Sequence, residues 1–325
     1  MRTIHVILAG LICIGARAAA PEYPVHRPAC PVTLDGDIEG DPAWAAIPAM
    51  IGFSVLGGSY THTKQTVAQM CADDEALYLA VTCEEPDAVA LNPQVRDGGD
   101  TWGEDSLEIF LQPLPNAQVY QIGITAGGAR GGFVGDPDPM GFQAATRIGS
   151  DRYTVEARFP YTLVKGVPEG TWRGNVCRNI FVDKSPGDKF TSWAPLERQF
   201  LEPDNFAYLT FELTTLTPED ADHITARINA AYRETLLRLV AEAAAMGAQY
   251  VDTLKEASAD PAFGECARRL SRQWRAIDRM NRRALTASIT DMRQALAKLR
   301  ALNDESYETK YKYLISKLIS EAMAP

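Results

Sequence analysis

The chain has 325 residues, of which 46% are hydrophobic and 23% charged, and its formal net charge is −10. It is long enough for two domains of ordinary size and too apolar to be wholly disordered. Residues before 217 carry −12 and residues 217–325 carry +2, so the acidic front part repels nucleic acid and anionic lipid and leaves neutral sugars and calcium as partners.

Residues 1–20 read as a cleavable export signal. Arg2 and His5 open it, an apolar run extends from Ile4 to Ile14, and Ala16-Arg17-Ala18 or Ala18-Ala19-Ala20 offers a small-residue cleavage site before Pro21. The run is shorter than the about 20 apolar residues a permanent span needs. A secreted or periplasmic protein without stable membrane insertion is therefore expected. Export permits disulfides. Cys30, Cys71, Cys83 and Cys177 leave room for two bridges of undetermined pairing, and with Cys266 the count after cleavage is odd. No C-x-x-C occurs and there are four histidines, which argues against a zinc or redox motif.

Residues 21–214 carry the signals of short antiparallel strands. Thr66–Cys71 and Ala76–Cys83 flank the turn Asp73-Asp74-Glu75. Ser106–Leu111, Val119–Ile124 and Tyr153–Phe159 alternate polar and apolar residues, and Phe206–Leu213 closes the region. Gly127-Gly128, Gly131-Gly132 and Asp136-Pro137-Asp138-Pro139 punctuate the gaps. This pattern predicts an all-β antiparallel sandwich. Residues 217–325 change texture. Thr217-Pro218-Glu219-Asp220 is a helix start, with a hydroxyl cap, proline at the first helical position and acids in the first turn. Helical periodicity runs to about Lys255, a second helix opens at Asp260-Pro261 with an arginine-rich face through Arg283, and two further segments cover roughly 286–302 and 307–323. An all-α bundle or coiled hairpin is expected. It reads as a spacer or as a module for self-association or a protein partner.

Four stretches of the front domain resemble the family 9 carbohydrate-binding modules and their family 9-like (DOMON-like) relatives. They are Leu34-Asp-Gly-Asp-Ile-Glu-Gly-Asp-Pro-Ala-Trp44, then Asp73–Val81, then Trp102-Gly-Glu-Asp-Ser-Leu-Glu-Ile-Phe-Leu111, and finally Tyr153–Pro160 taken with Gly174–Arg178, Ser192-Trp193 and Phe206–Leu209. The resemblance implies a β-sandwich that holds the ends of sugar chains in a slot between two tryptophans, which by motif position are Trp102 and Trp193. The apolar face of a pyranose stacks on an aromatic plane, and both tryptophans are flanked by loop-like residues. Glu108 and Arg178 fall where the family has side chains that read sugar hydroxyls, with Gln121 as a third candidate; charge-assisted hydrogen bonds suit that task. Gln121 and Gly123 stand where a longer polar pair is usual. Trp44 and Trp172 read as core. The resemblance also implies structural calcium, for which Asp35, Asp37, Glu39, Asp41, Asp73, Asp74 and Asp105 supply oxygens, although no EF-hand spacing occurs.

The function expected is non-catalytic carbohydrate binding by an exported module that supports polysaccharide recognition or breakdown. Three rivals remain. A glycoside hydrolase needs two carboxylates across one bond, and Glu104, Asp105 and Glu108 are near one another in sequence, but no second domain of catalytic size exists. A haem sandwich would draw on His62, Met70 and Met140. A cell-surface assembly protein would use the helical tail and leave the sandwich without a ligand.

Overall fold

The computed structural model describes residues 20–57, 61–113, 117–182, 189–284 and 287–323. The expected export signal thus lies, except for Ala20, outside the described residues. Strands occupy the front part and helices the rest, as the alternation of periods two and 3.6 requires. The strands are β1 (Glu22–Arg27), β2 (Ala49–Met50), β3 (Ser54–Val55), β4 (Thr66–Ala72), β5 (Ala76–Glu84), β6 (Ser106–Gln112), β7 (Tyr120–Thr125), β8 (Arg130–Gly132), β9 (Gln143–Ile148), β10 (Arg152–Pro160), β11 (Thr171–Asn179), β12 (Phe190–Ser192) and β13 (Ala207–Thr215).

They form two layers. The first runs β8-β7-β6-β11-β13-β1, with β12 beside the far end of β11; the second runs β1-β4-β5-β10-β9. β1 belongs to both, pairing in parallel with β13 and, where His26 faces Cys71, with β4. The β4–β5 hairpin turns at Asp73, whose Oδ1 accepts from the Glu75 and Ala76 amides at 2.8 Å each, the local closure that makes Asp a turn residue. Between the layers lie Leu77, Leu79, Val81 and Cys83 of β5, Leu107, Ile109 and Leu111 of β6, and Val155, Ala157 and Phe159 of β10. Every second residue faces inward, as a pleated strand dictates.

The outer faces are covered too. Trp44, Ile38 and Ile47 cap the second layer over Cys71, Tyr78 and Ala80. The buried Glu156 ties that segment down, accepting from Trp44 Nε1 and Gly36 N at 2.7 Å each. Leu196, Phe200 and Phe206 cover Phe110 and Cys177 on the first layer. Cys71, Cys83 and Cys177 therefore occupy three zones separated by sheet backbone, and a disulfide cannot reach across. The two-bridge expectation fails on that geometry, and the described cysteines are all free.

The tail comprises α1 (Pro218–Ala248), α2 (Val251–Ala257), α3 (Gly264–Ala284) and α4 (Ile289–Ala322). Thr217 Oγ1 caps α1 by accepting from Asp220 N at 3.2 Å, and Ser288 with Asp291 forms a capping box on α4. The two segments expected near 286–302 and 307–323 are one helix of 34 residues. No helix among the described residues is long and apolar enough to cross a membrane. The tail core joins Leu236, Leu239, Leu254, Leu270, Trp274, Met292, Leu296 and Leu299. It docks on the sandwich where the Tyr232 ring covers Gly52, which has φ +84° and no room for a Cβ, and where Arg293 donates to Thr63 O at 3.1 Å.

Candidate functional site

Alternation along β6 turns Ser106, Glu108 and Phe110 away from the sandwich interior. Register then sets their neighbours. Glu108 lies opposite Gly123 of β7 and Cys177 of β11, Ser106 opposite Thr125 and Asn179, and Phe110 opposite Gln121 and Asn175. Glu108, Gln121 and Asn179 thus share one face and meet. Gln121 Nε2 donates to Glu108 Oε2 at 2.5 Å, and Asn179 Nδ2 donates to Glu108 Oε1 at 2.8 Å and to Ser106 Oγ at 3.0 Å. Glu108 is only 5% exposed. Burial raises its carboxyl above the ordinary 4.5, and the two amide bonds pull the other way. Asn179 Oδ1 is buried and accepts no hydrogen bond among the described residues.

An aromatic platform stands beside this group. Trp102 sits in the 3-10 turn Thr101–Gly103 and is 40% exposed. Its ring lies 4.1 Å from that of Phe133, centroid to centroid, at 57°. The Phe133 ring in turn rests on Gly123 and Gly131, where a Cβ would come within 3.0 and 2.6 Å of it. Two glycines on the outward face therefore make the floor that lets an aromatic ring lie flat one strand from Glu108. On the other side, Phe190 of β12 lies opposite Asn179, partly exposed, with its ring edge-on to Phe200 at 5.8 Å. With strands about 4.8 Å apart, roughly 14 Å separates β7 from β12 across this face. A depression of about 250 Å³ opens at the end of the same strands, lined by Leu91, Pro93, Gly103, Glu104, Asp105 and Phe181 among others.

Two of the residues expected to bind sugar lie elsewhere. Arg178 is one position out of phase with Asn179, so it points between the layers. It is fully buried, with Nη2 donating to Glu84 O at 2.8 Å and Nη1 to Gln65 O at 3.3 Å, and it pairs with Glu85 at 3.8 Å. Trp193 follows the outward Ser192 and so turns inward. It is 9% exposed and packs edge-on against Tyr23 at 5.9 Å in the main core. Trp102 and Trp193 do not face each other, and the two-tryptophan slot is not built. Sequence reasoning missed Asn179, Phe133 and Phe190. The alternation of β11 contained the signal for Asn179; cross-strand register alone brings in the two phenylalanines.

The acids expected to hold calcium are used for other purposes. Asp41 accepts from Thr33 N and Ala43 N at 2.8 Å each, Asp37 pairs with Arg147, Glu39 with Arg152, and Asp74 with Arg27. Among the described residues no three His, Cys, Asp or Glu side chains converge as a metal cage. These side chains do not fit the ion. Of the rival catalytic acids, Glu104 spends Oε2 on the Gln94 and Val95 amides and Asp105 accepts from Phe181 N at 3.1 Å.

No protein-family model matches the chain, and no curated protein does. Among solved structures, the chain is similar to a family 9 carbohydrate-binding module from Caldicellulosiruptor kristjanssonii in complex with cellotriose. Identity is 20%, the TM-score is 0.45, and the match covers 60% of this chain and 95% of that one. The same module in complex with glucose matches at 20% identity and a TM-score of 0.45, covering 60% and 97%. A candidate carbohydrate-binding protein from Bacteroides uniformis ATCC 8492 matches at 18% identity and a TM-score of 0.49, covering 59% and 99%.

Proposed function

We propose that the protein is exported and that its sandwich binds carbohydrate, without cleaving it, on the outward face of the first layer. The observation that carries this reading is the exposed Trp102, braced by Phe133, beside a buried carboxylate held by two carboxamides. An indole face accepts the axial C–H side of a sugar ring. Glu108, positioned by Gln121 and Asn179, supplies a charged acceptor for hydroxyls, the stronger kind of hydrogen bond. One tryptophan, rather than two facing ones, forms the stacking wall.

The test measures binding of glucose, cellotriose and a panel of plant and algal polysaccharides to the chain from Pro21 onward. Trp102→Ala should weaken binding by about 1–3 kcal/mol, roughly five- to 150-fold in Kd, with an unchanged circular dichroism spectrum. Binding should also fall on acidification from a pH above 4.5, because the raised Glu108 carboxyl takes up a proton there and loses its charge. A folded wild type that binds no member of the panel sinks the proposal.

A second reading concerns the tail. Tyr307, Tyr311, Ile315, Leu318 and Ile319 recur at helical spacing on one side of α4 and are all exposed. We read this stripe as the surface on which two copies of the chain pair. In an antiparallel pair centred between residues 315 and 316, Lys310 of one copy faces Glu321 of the other, twice over. Sedimentation should show a dimer that Ile315→Glu with Leu318→Glu converts to a monomer. A wild type that stays monomeric at its highest soluble concentration removes this surface from consideration.

A further inference from the structure

The helix α3 has two opposite characters. Ala267, Leu270, Trp274 and Ile277 are buried in the tail core, at spacings i, i+3, i+7 and i+10. Half a turn away, positions 268, 272 and 275 fall on a single face about 60° wide at 100° per residue, and all three are arginine. Arg268, Arg272 and Arg275 are exposed. Arg268 donates to Ser258 O and Arg275 to Ser271 O, single bonds that leave most of each guanidinium fork unused. Arg269 lies off this face and pairs with Glu305. Within Gly264–Ala284 seven arginines stand against Glu265 and Asp278, a balance of +5 in a chain whose total is −10.

We propose that this arginine face is a second binding site, and that it takes an acidic polysaccharide through its repeated anionic groups. From position 268 to 275 the face rises about 10 Å along one line, which suits an extended single chain. Arginine is the residue whose planar fork grips carboxylates and sulfates two bonds at a time. The remainder of the chain carries −15 and repels a broad polyanion such as duplex DNA or a lipid surface, whereas a slender polymer can touch α3 alone. The choice of a glycan rests on the sandwich reading above: one chain holding a polysaccharide at two places gains from the raised local concentration of the second contact.

The full chain is titrated with polygalacturonate and, separately, with dextran sulfate, which distinguishes carboxylate from sulfate. Wild type should bind at least one of them, and more weakly by about tenfold when salt rises from low to physiological strength, since exposed charges are screened over about 8 Å there. The combined variant Arg268→Ala, Arg272→Ala, Arg275→Ala places the best helix former at solvent positions and should lose tenfold or more. The matching lysine variant should bind between wild type and the alanine variant, because it keeps the charge and loses the fork. Trp102→Ala should weaken polyanion binding by less than the arginine variant does, which separates this site from the sandwich. Failure to bind either polymer at low salt overturns the inference, as does equal binding by the alanine variant or tighter binding of duplex DNA or phosphatidylglycerol vesicles. Loss on Trp102→Ala with none on the arginine variant also overturns it, and leaves the sandwich reading standing.

Discussion

Replacing Arg178 by alanine should destabilise the protein by about 3–5 kcal/mol, the usual cost of removing one partner from a buried ion pair. The guanidinium is fully enclosed and serves two backbone carbonyls, Gln65 O and Glu84 O, as well as Glu85. It also lies over the Tyr153 ring at 5.3 Å. Truncation takes the guanidinium donor from Glu84 O in a dry interior, and an orphaned acceptor costs on the order of 1–3 kcal/mol, whereas Gln65 O keeps the Glu84 amide at 2.9 Å. Glu85 keeps Lys64, whose Nζ is 2.8 Å from both carboxylate oxygens, so the loss should stop short of unfolding. Arg178→Lys should recover little, because one ammonium cannot span the same fork of acceptors. Urea unfolding gives the number, and the folded fraction should bind sugar as wild type does. A normal midpoint with lost sugar binding would move Arg178 back to the ligand face.

The second large effect is expected at Trp274. Its ring is 7% exposed and occupies the space where a Cβ of Gly247 would stand, 1.7 Å from the ring carbon, and its Nε1 donates to Ser306 Oγ at 2.9 Å. One side chain therefore holds α1, α3 and α4 together. Trp274→Ala should cost about 3–5 kcal/mol through lost burial and the cavity left behind. Loss of helical ellipticity at a lower temperature than in wild type, with the sandwich signal retained, is the expected outcome. A change below about 1 kcal/mol would mean that the tail tolerates a void at its centre, contrary to the dense packing of protein interiors.

Periodicity made the strands legible. β4, β5, β6, β7 and β10 fall within a residue or two of the runs read from alternation, because the inward positions must be apolar along their whole length. Side-chain parity was harder. Arg178 looks polar and outward, yet Val176 fixes the phase of β11 and turns Arg178 in and Asn179 out. Trp193 sits among Ser, Thr and Pro, and its inward direction follows from the pairing of β12, which no local pattern encodes. Phe133 joins the site only because Gly123 and Gly131 come side by side on neighbouring strands. In the tail, Asn303-Asp304 resembles a helix break, but Asn303 Nδ2 donates to Ala243 O of α1 at 2.9 Å and the helix continues. Long-range partners decide all of these cases.

The first strand has a bearing on how the two layers are fastened together. Pro21 O already accepts from Tyr208 N at 2.9 Å, and Glu22, Tyr23 and Pro24 lie opposite Tyr208, Leu209 and Thr210. Tyr23 Oη donates to Pro48 O at 2.6 Å and accepts from Met70 N at 3.1 Å, which rivets the seam between the two layers. A peptidase cutting after Ala20 spares every one of these contacts. Removal of the chain through Pro24 would unfasten both layers along their common edge, so the stretch Pro21–Pro24 works as a clasp that closes the two layers on each other.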